Sequence, residues 1–206
     1  MSDERVRLAL GVLVFAALLV SGLHPYDRTT WWLEVAPVFI AAPLMIATHR
    51  RFPLSSLLFT LVCIHAIVLM VGGAYTYARV PLGFWLQDAF NLSRNPYDRI
   101  GHLMQGFVPA LAAREILLRC EFVRGARIVA FLAVCVALAI SATYELVEWG
   151  AALALGQGAD EFLGTQGDPW DTQSDMFMAL VGASVAMLFF AALQDRQIRT
   201  LQARSV

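Results

Sequence analysis

Two stretches of the chain carry side chains suited to chemistry, and they share a layout. Asn95 to His102 reads NPYDRIGH, and Asp168 to Asp175 reads DPWDTQSD. In each, Asn or Asp is followed by Pro, an aromatic residue and Asp, and four residues beyond that Asp stands a metal-ligand type, His102 or Asp175. Much of the pattern describes a helix start. Asn95 and Asp168 are favoured N-caps, Pro96 and Pro169 suit the first helical position, and Asp98 and Asp171 fall at N3, where a carboxylate meets the positive end of the helix dipole. Capping does not account for His102 and Asp175, a full turn further in. At a rise of ~1.5 Å per residue both lie about 9 Å beyond their prolines. Glu145 and Glu148, on the intervening antiparallel helix, fall roughly 10 to 15 Å below the same surface. Asp98 and His102 share a helix face at spacing four, as do Asp171 and Asp175, and Glu145 and Glu148 are neighbours at spacing three.

A carboxylate held at that depth in a bilayer costs about 2.5 to 3.5 kcal/mol even on the lenient insertion scale, so a group of them needs compensation. Arg99 is the only cation expected nearby, which leaves protonation or a bound cation. An imidazole among carboxylates suits Zn²⁺, Mn²⁺ or Fe²⁺, and an oxygen-rich version suits Mg²⁺ or Ca²⁺. The expected ligand set is His102, Asp98, Glu145, Glu148, Asp171 and Asp175. Glu145 or Glu148 would serve as general base, with Arg99 available to meet a phosphate. A proton relay and a structural polar core remain alternative uses of the same residues. Gln105, on the His102 face, and Tyr144, beside Glu145, are expected second partners. His65 is either a floor for the same cavity or a hydrogen-bonded core residue.

The elements that must position these residues are membrane helices. Apolar residues make up 59% of the 206 positions and charged ones 15%, with a mean hydropathy of +0.64, far from a soluble mixture. The pattern predicts an all-α polytopic bundle, one membrane domain over residues 1–206. Six spans are expected, at about 6–22, 32–48, 54–77, 96–118, 126–155 and 169–193. The first is read as a span because no small-residue cleavage site follows it. Pro37 and Pro43 predict a bent second helix, with Trp31 and Trp32 as interfacial anchors at its start. Tyr75, Tyr77, Tyr97, Trp149 and Trp170 are read as anchors of the same kind. Between Arg79 and Asn95 the apolar residues are too few to span, and suit a short segment lying along the membrane surface. Gly156 to Gly167 reads as a polar loop. The scattered Cys63, Cys120 and Cys135 are read as core packing.

Arginine placement gives the orientation. Arg5, Arg7, Arg50, Arg51, Arg114, Arg119, Arg124, Arg127, Arg196, Arg199 and Arg204 lie on the side of the termini, and only Arg28, Arg79, Arg94 and Arg99 on the other. That places the termini in the cytoplasm and both repeated stretches on the outside, where the acids Asp160 and Glu161 are also expected. Arg119, Arg124 and Arg127 fit contact with anionic lipid.

On NPYDRIGHLMQGF, ATYELVEWG and GTQGDPWDTQSDMFMALVGA, the chain resembles the YjdF-type inner-membrane proteins over most of its length. More distantly it is similar to the VanZ-like membrane proteins, whose pattern has an Asp three residues before a His, an intramembrane Glu and an Asp heading a late helix. Asp98, His102, Glu145 and Asp175 are the positions that likeness marks. Asp98 and His102 depart from it by their spacing of four, and Ala179 stands where the pattern implies Asn. Neither resemblance implies a reaction. From the residues, the first expectation is a metal-dependent hydrolase or transferase acting on a lipid or lipid-linked envelope substrate. The alternatives are a proton- or cation-coupled transporter and a non-catalytic accessory protein. Membrane lipids are the expected surroundings, and no nucleic-acid partner is expected. The oligomeric state is not legible.

Overall fold

The computed structural model describes residues 3–156 and 160–204. Residues 157–159 of the expected polar loop, and the side chains of Asp160, Glu161 and Arg204, lie outside the described residues. Helix α1 (Asp3–Leu23) leads into α2 (Arg28–Thr48) and α3 (Ser56–Tyr75). A 3-10 turn (Tyr77–Arg79) and the short α4 (Pro81–Phe90) follow, then α5 (Tyr97–Arg119) and α6 (Ala126–Leu155). After α7 (Asp160–Leu163), α8 (Asp171–Val185) continues through a π-helical segment (Ala186–Phe190) into α9 (Ala191–Arg204). Among the described residues there is no strand.

Five of these helical runs are long and apolar enough to cross a membrane: Glu4–Leu23, Arg28–Thr48, Ser56–Tyr75, Ala126–Leu155 and Asp171–Ala203. Helix α5 has the length, at 23 residues, but its ionisable side chains lower its hydropathy. Its place follows from its neighbour. Asp98 and His102 meet Asp175 at one end of α8, and Arg114 pairs with Asp195 of α9 at the other. The two helices thus run parallel over their whole length, and a membrane crossed by α8–α9 is crossed by α5 too. The polar side chains of α5 are tolerated because α3, α6 and α8 pack around it. Where α5 meets α8, Gly106 lies against the Ala179 backbone and Gly182 against the Leu103 carbonyl, too close for a Cβ at either glycine. Small residues of this kind let membrane helices touch backbone to backbone. Ala179, fully buried, sits in that contact. Below it Phe107, Leu111, Ala183 and Ala186 join Leu58 of α3 in the main apolar cluster.

The far end of α5 is tied down by a second polar group. Glu115 is fully buried and accepts from the Ser55 N–H at 2.8 Å, the Ser55 hydroxyl at 2.6 Å, Arg119 at 3.0 Å and Gln194 at 3.2 Å. Arg114 bonds both Gln194 and Asp195, at 3.0 and 2.6 Å. The sixth span therefore extends past the expected Leu193 to Arg204, because its polar tail docks on α5. Arg119 is not the lipid-facing arginine expected: it holds Glu115 and the Pro53 carbonyl, and stacks over the Phe52 ring.

Other expectations shift for local reasons. Helix α2 starts at Arg28, capped by Asp27, whose carboxylate accepts from the Thr30 N–H at 2.6 Å. Pro37 and Pro43 both lie within it. Trp31 is buried, donating to Ser21 at 3.1 Å, while Trp32 is exposed. Adjacent residues on a helix point about 100° apart, so the pair cannot anchor together. Tyr77 and Tyr97 are buried against each other and against α3, not at the surface; Tyr75, Trp149 and Trp170 are exposed. Only Cys63 of the three cysteines packs in the core. Helix α4 buries Gly83 against Asn95 and leaves Leu82, Phe84, Trp85 and Phe90 exposed, the amphipathic form expected of a surface segment.

Candidate metal centre

The two repeated stretches start their helices by one device, displaced from the expected register. Asn95 accepts from the Tyr97 N–H at 3.0 Å, and Asp168 from the Trp170 N–H at 2.9 Å. These are two-residue Asx turns lying just before the helices, so α5 begins at Tyr97 and α8 at Asp171, with each proline outside. Asp98 and Asp171 are thereby freed from capping. Both turn to Arg94: its Nη1 bonds Asp171 at 2.5 Å, and its Nη2 lies 4.0 Å from Asp98. Nη1 also donates to the Thr165 carbonyl at 2.7 Å. The loop before α8 is strapped down further by Gln166, which bonds both the N–H and the carbonyl of Asn95 at 3.1 and 3.0 Å.

Arg99 is therefore not the only nearby cation. Arg94, 9% exposed, is the buried one; the Arg99 side chain is 41% exposed and reaches Asp168 at 3.2 Å, on the rim. Burial alone would weaken the Arg94 charge, but the hydrogen bond and charge of Asp171, with Asp98 and Asp175, hold its pKa above the ordinary arginine value. In the sequence Arg94 stands only as one of the outer arginines, because it precedes the helix pattern, and only the loop at Thr165 and Gln166 shows why it is buried.

His102 stands at the centre, 5% exposed. Its Nε2 faces Asp98 at 3.5 Å, and its Nδ1 lies 2.9 Å from the Gln105 amide oxygen and 3.7 Å from Glu145. Two triads with metal-binding potential share it: Asp98, His102 and Asp175, and His102, Glu145 and Glu148. Within each, one ligand atom per residue lies within 4.8 Å of the others. All five side chains are buried. Among the described residues, Glu145 Oε1 and Asp175 Oδ1 are buried acceptors without a hydrogen-bond partner.

A family model described as a predicted membrane protein, DUF2238, matches residues 6–196. The chain belongs to the DUF2238 family. A relative, the inner membrane protein YjdF of Escherichia coli (strain K12), is 62% identical over 182 residues, covering 88% of this chain and 87% of its own. No solved structure matches. The YjdF resemblance is thus established, and the VanZ-like one gains nothing from these matches. The DUF2238 chain is a membrane protein with several apolar crossings.

Within this DUF2238 fold the expected ligands divide. Asp98, His102, Glu145, Glu148 and Asp175 come together, whereas the Asp171 carboxylate is engaged by Arg94 and belongs to neither triad. Gln105 is the expected partner of His102. Tyr144 turns its hydroxyl away from Glu145 to donate to Glu34 of α2 at 2.8 Å, with its ring edge-on to His102 at 6.2 Å. Glu34, 4% exposed, is a site neighbour not singled out in the sequence. The available signal was its charge within an apolar span, where a carboxylate needs a partner. His65 keeps a buried Nε2 without a hydrogen-bond partner among the described residues.

Proposed function

We propose that the cluster binds one divalent cation and that the protein is a metal-dependent hydrolase or transferase. It would act on a lipid or lipid-linked substrate at the outer face of the bacterial inner membrane. The observation that carries the reading is the pair of buried acceptors without a partner among the described residues, Glu145 Oε1 and Asp175 Oδ1, one in each of the triads that share His102. Buried polar atoms are nearly always bonded, and carboxylate oxygens left bare are what a metal centre requires. With the Gln105 oxygen at Nδ1, that nitrogen carries the proton and Nε2 offers its lone pair toward Asp98. His102, Asp98 and Asp175 then form the ligand set, an imidazole and two carboxylates that suit Zn²⁺, Mn²⁺ or Fe²⁺. Glu145 and Glu148, which make the other triad with His102, are left as bases for an attacking water. The outward face rests on the arginine asymmetry, and the inner-membrane location on the YjdF relative.

Elemental analysis of detergent-purified protein tests the reading. Near-stoichiometric metal is expected in the wild type and loss of it in His102→Ala and Asp175→Ala. Wild-type protein that is metal-free as purified, binds none on reconstitution and is equally stable after chelation would remove it.

A further inference from the structure

Arg94 has two features that pairing with Asp171 does not use. Among the described residues only Nη1 is hydrogen-bonded, to Asp171 and Thr165, and Nε and Nη2 are buried donors without a partner. That bare edge is turned toward the centre, since Nη2 approaches Asp98, a proposed ligand, at 4.0 Å. Guanidinium N–H groups are strong, obligatory donors, and an edge of two adjacent ones matches a phosphate by a bidentate contact. Beside a divalent cation it forms the usual clamp on a phosphoryl group, with metal on one oxygen and arginine on another. Among the described residues, the carboxylates within 4.0 Å of Arg94 are Asp171 at 2.5 Å, Asp168 at 3.9 Å and Asp98 at 4.0 Å, with Asp175 acting on it from further off. They would repel an anion in the metal-free protein, and a cation held by Asp98 and Asp175 offsets that charge.

We infer that the substrate carries a phosphate ester, and that the free Nε and Nη2 edge of Arg94 is the group that recognises its phosphoryl oxygens next to the metal. The inference rests on the metal-centre reading, and it moves phosphate recognition from Arg99, held on the rim by Asp168, to Arg94. The same chemistry would accept free phosphate or a phosphate-monoester lipid.

The test is calorimetric titration of the full-length protein in detergent, with and without Mn²⁺. Inorganic phosphate is one ligand and phosphatidic acid in mixed micelles the other, with phosphatidylcholine as the blocked-headgroup control. Saturable phosphate-group binding is expected in Mn²⁺-loaded protein, with phosphatidic acid tighter than inorganic phosphate if the source is lipid and equal if it is not. Arg94→Gln should weaken it at least tenfold while Mn²⁺ affinity is kept, and Arg51→Gln, at an exposed site on the opposite side, should not. Because Arg94→Gln strands Asp171, the pair variant Arg94→Gln/Asp171→Asn supplies a folded comparison and should show the same loss. Protein that holds Mn²⁺ but binds neither ligand, or variants that bind both like wild type, would overturn the inference while leaving the metal reading intact. Absence of Mn²⁺ binding would overturn the metal reading. Phosphate binding to the metal-free protein that Arg94→Gln abolishes would then uphold Arg94 alone, and its absence would end both.

Discussion

Helix α5 carries a polar cluster at each end, and the two are opposites in their bonding. At the Glu115 end a single buried carboxylate meets four donors, from α5 itself, α9 and the segment before α3. At the His102 end four carboxylates face one imidazole, and two of their oxygens have no donor among the described residues. Both ends place charge inside the bundle, but only one completes its hydrogen bonds. The difference teaches where stability and function lie: the Glu115 end works as a lock between helices, and the His102 end holds unmet bonding capacity of the kind found at functional sites.

The comparison predicts opposite responses to similar substitutions. The largest effect belongs to Glu115→Ala, which strands the fully buried Ser55 N–H and hydroxyl and takes the carboxylate from Arg119; breaking a buried charged network of this kind costs about 3 to 5 kcal/mol. It should appear as a large fall in melting temperature and in folded yield from detergent. Next is Gly106→Ala, which forces α5 and α8 apart where the Ala179 backbone lies; overpacking costs about 1 to 3 kcal/mol, read by thermal denaturation. Asp175→Asn should have the reverse sign. Replacing a buried carboxyl that has an oxygen without a donor among the described residues should stabilise the metal-free protein by up to about 1 kcal/mol, and a loss of several kcal/mol there would erase the distinction between the two ends. The smallest effect is Arg99→Gln, on a half-exposed pair with Asp168, worth about 0 to 1 kcal/mol; it should leave metal content unchanged.

How much of this was legible in the sequence depends on the kind of interaction. The apolar runs announce the helices, and α6 has the bounds its run predicts, because each run must satisfy its own backbone in lipid. His102, Asp98, Asp175, Glu145 and Glu148 were legible together because helical rise alone sets their depth. Arg94 and Glu34 were not, since their roles depend on which loop and which helix lie across from them. Trp31 and Tyr77 show the same limit: an aromatic residue near a helix end reads as an anchor until a glycine opposite, Gly22 or Gly72, makes room to bury it. The docking of Gln194 and Asp195 on Arg114 was hidden in a tail that looks merely polar.

If the His102 end, and not the Glu115 end, is built for a cation, metal should stabilise the protein through His102 alone. Thermal melting of the purified protein, with Mn²⁺ at a hundredfold excess over its dissociation constant and then with chelator, tests it directly. Such an excess stabilises a binding protein by about 2.7 kcal/mol. Wild type and Glu115→Gln should show that metal-dependent rise from different starting temperatures, and His102→Ala should show none. A wild type that melts at one temperature with and without metal, or a His102→Ala variant that keeps the full rise, would contradict the account.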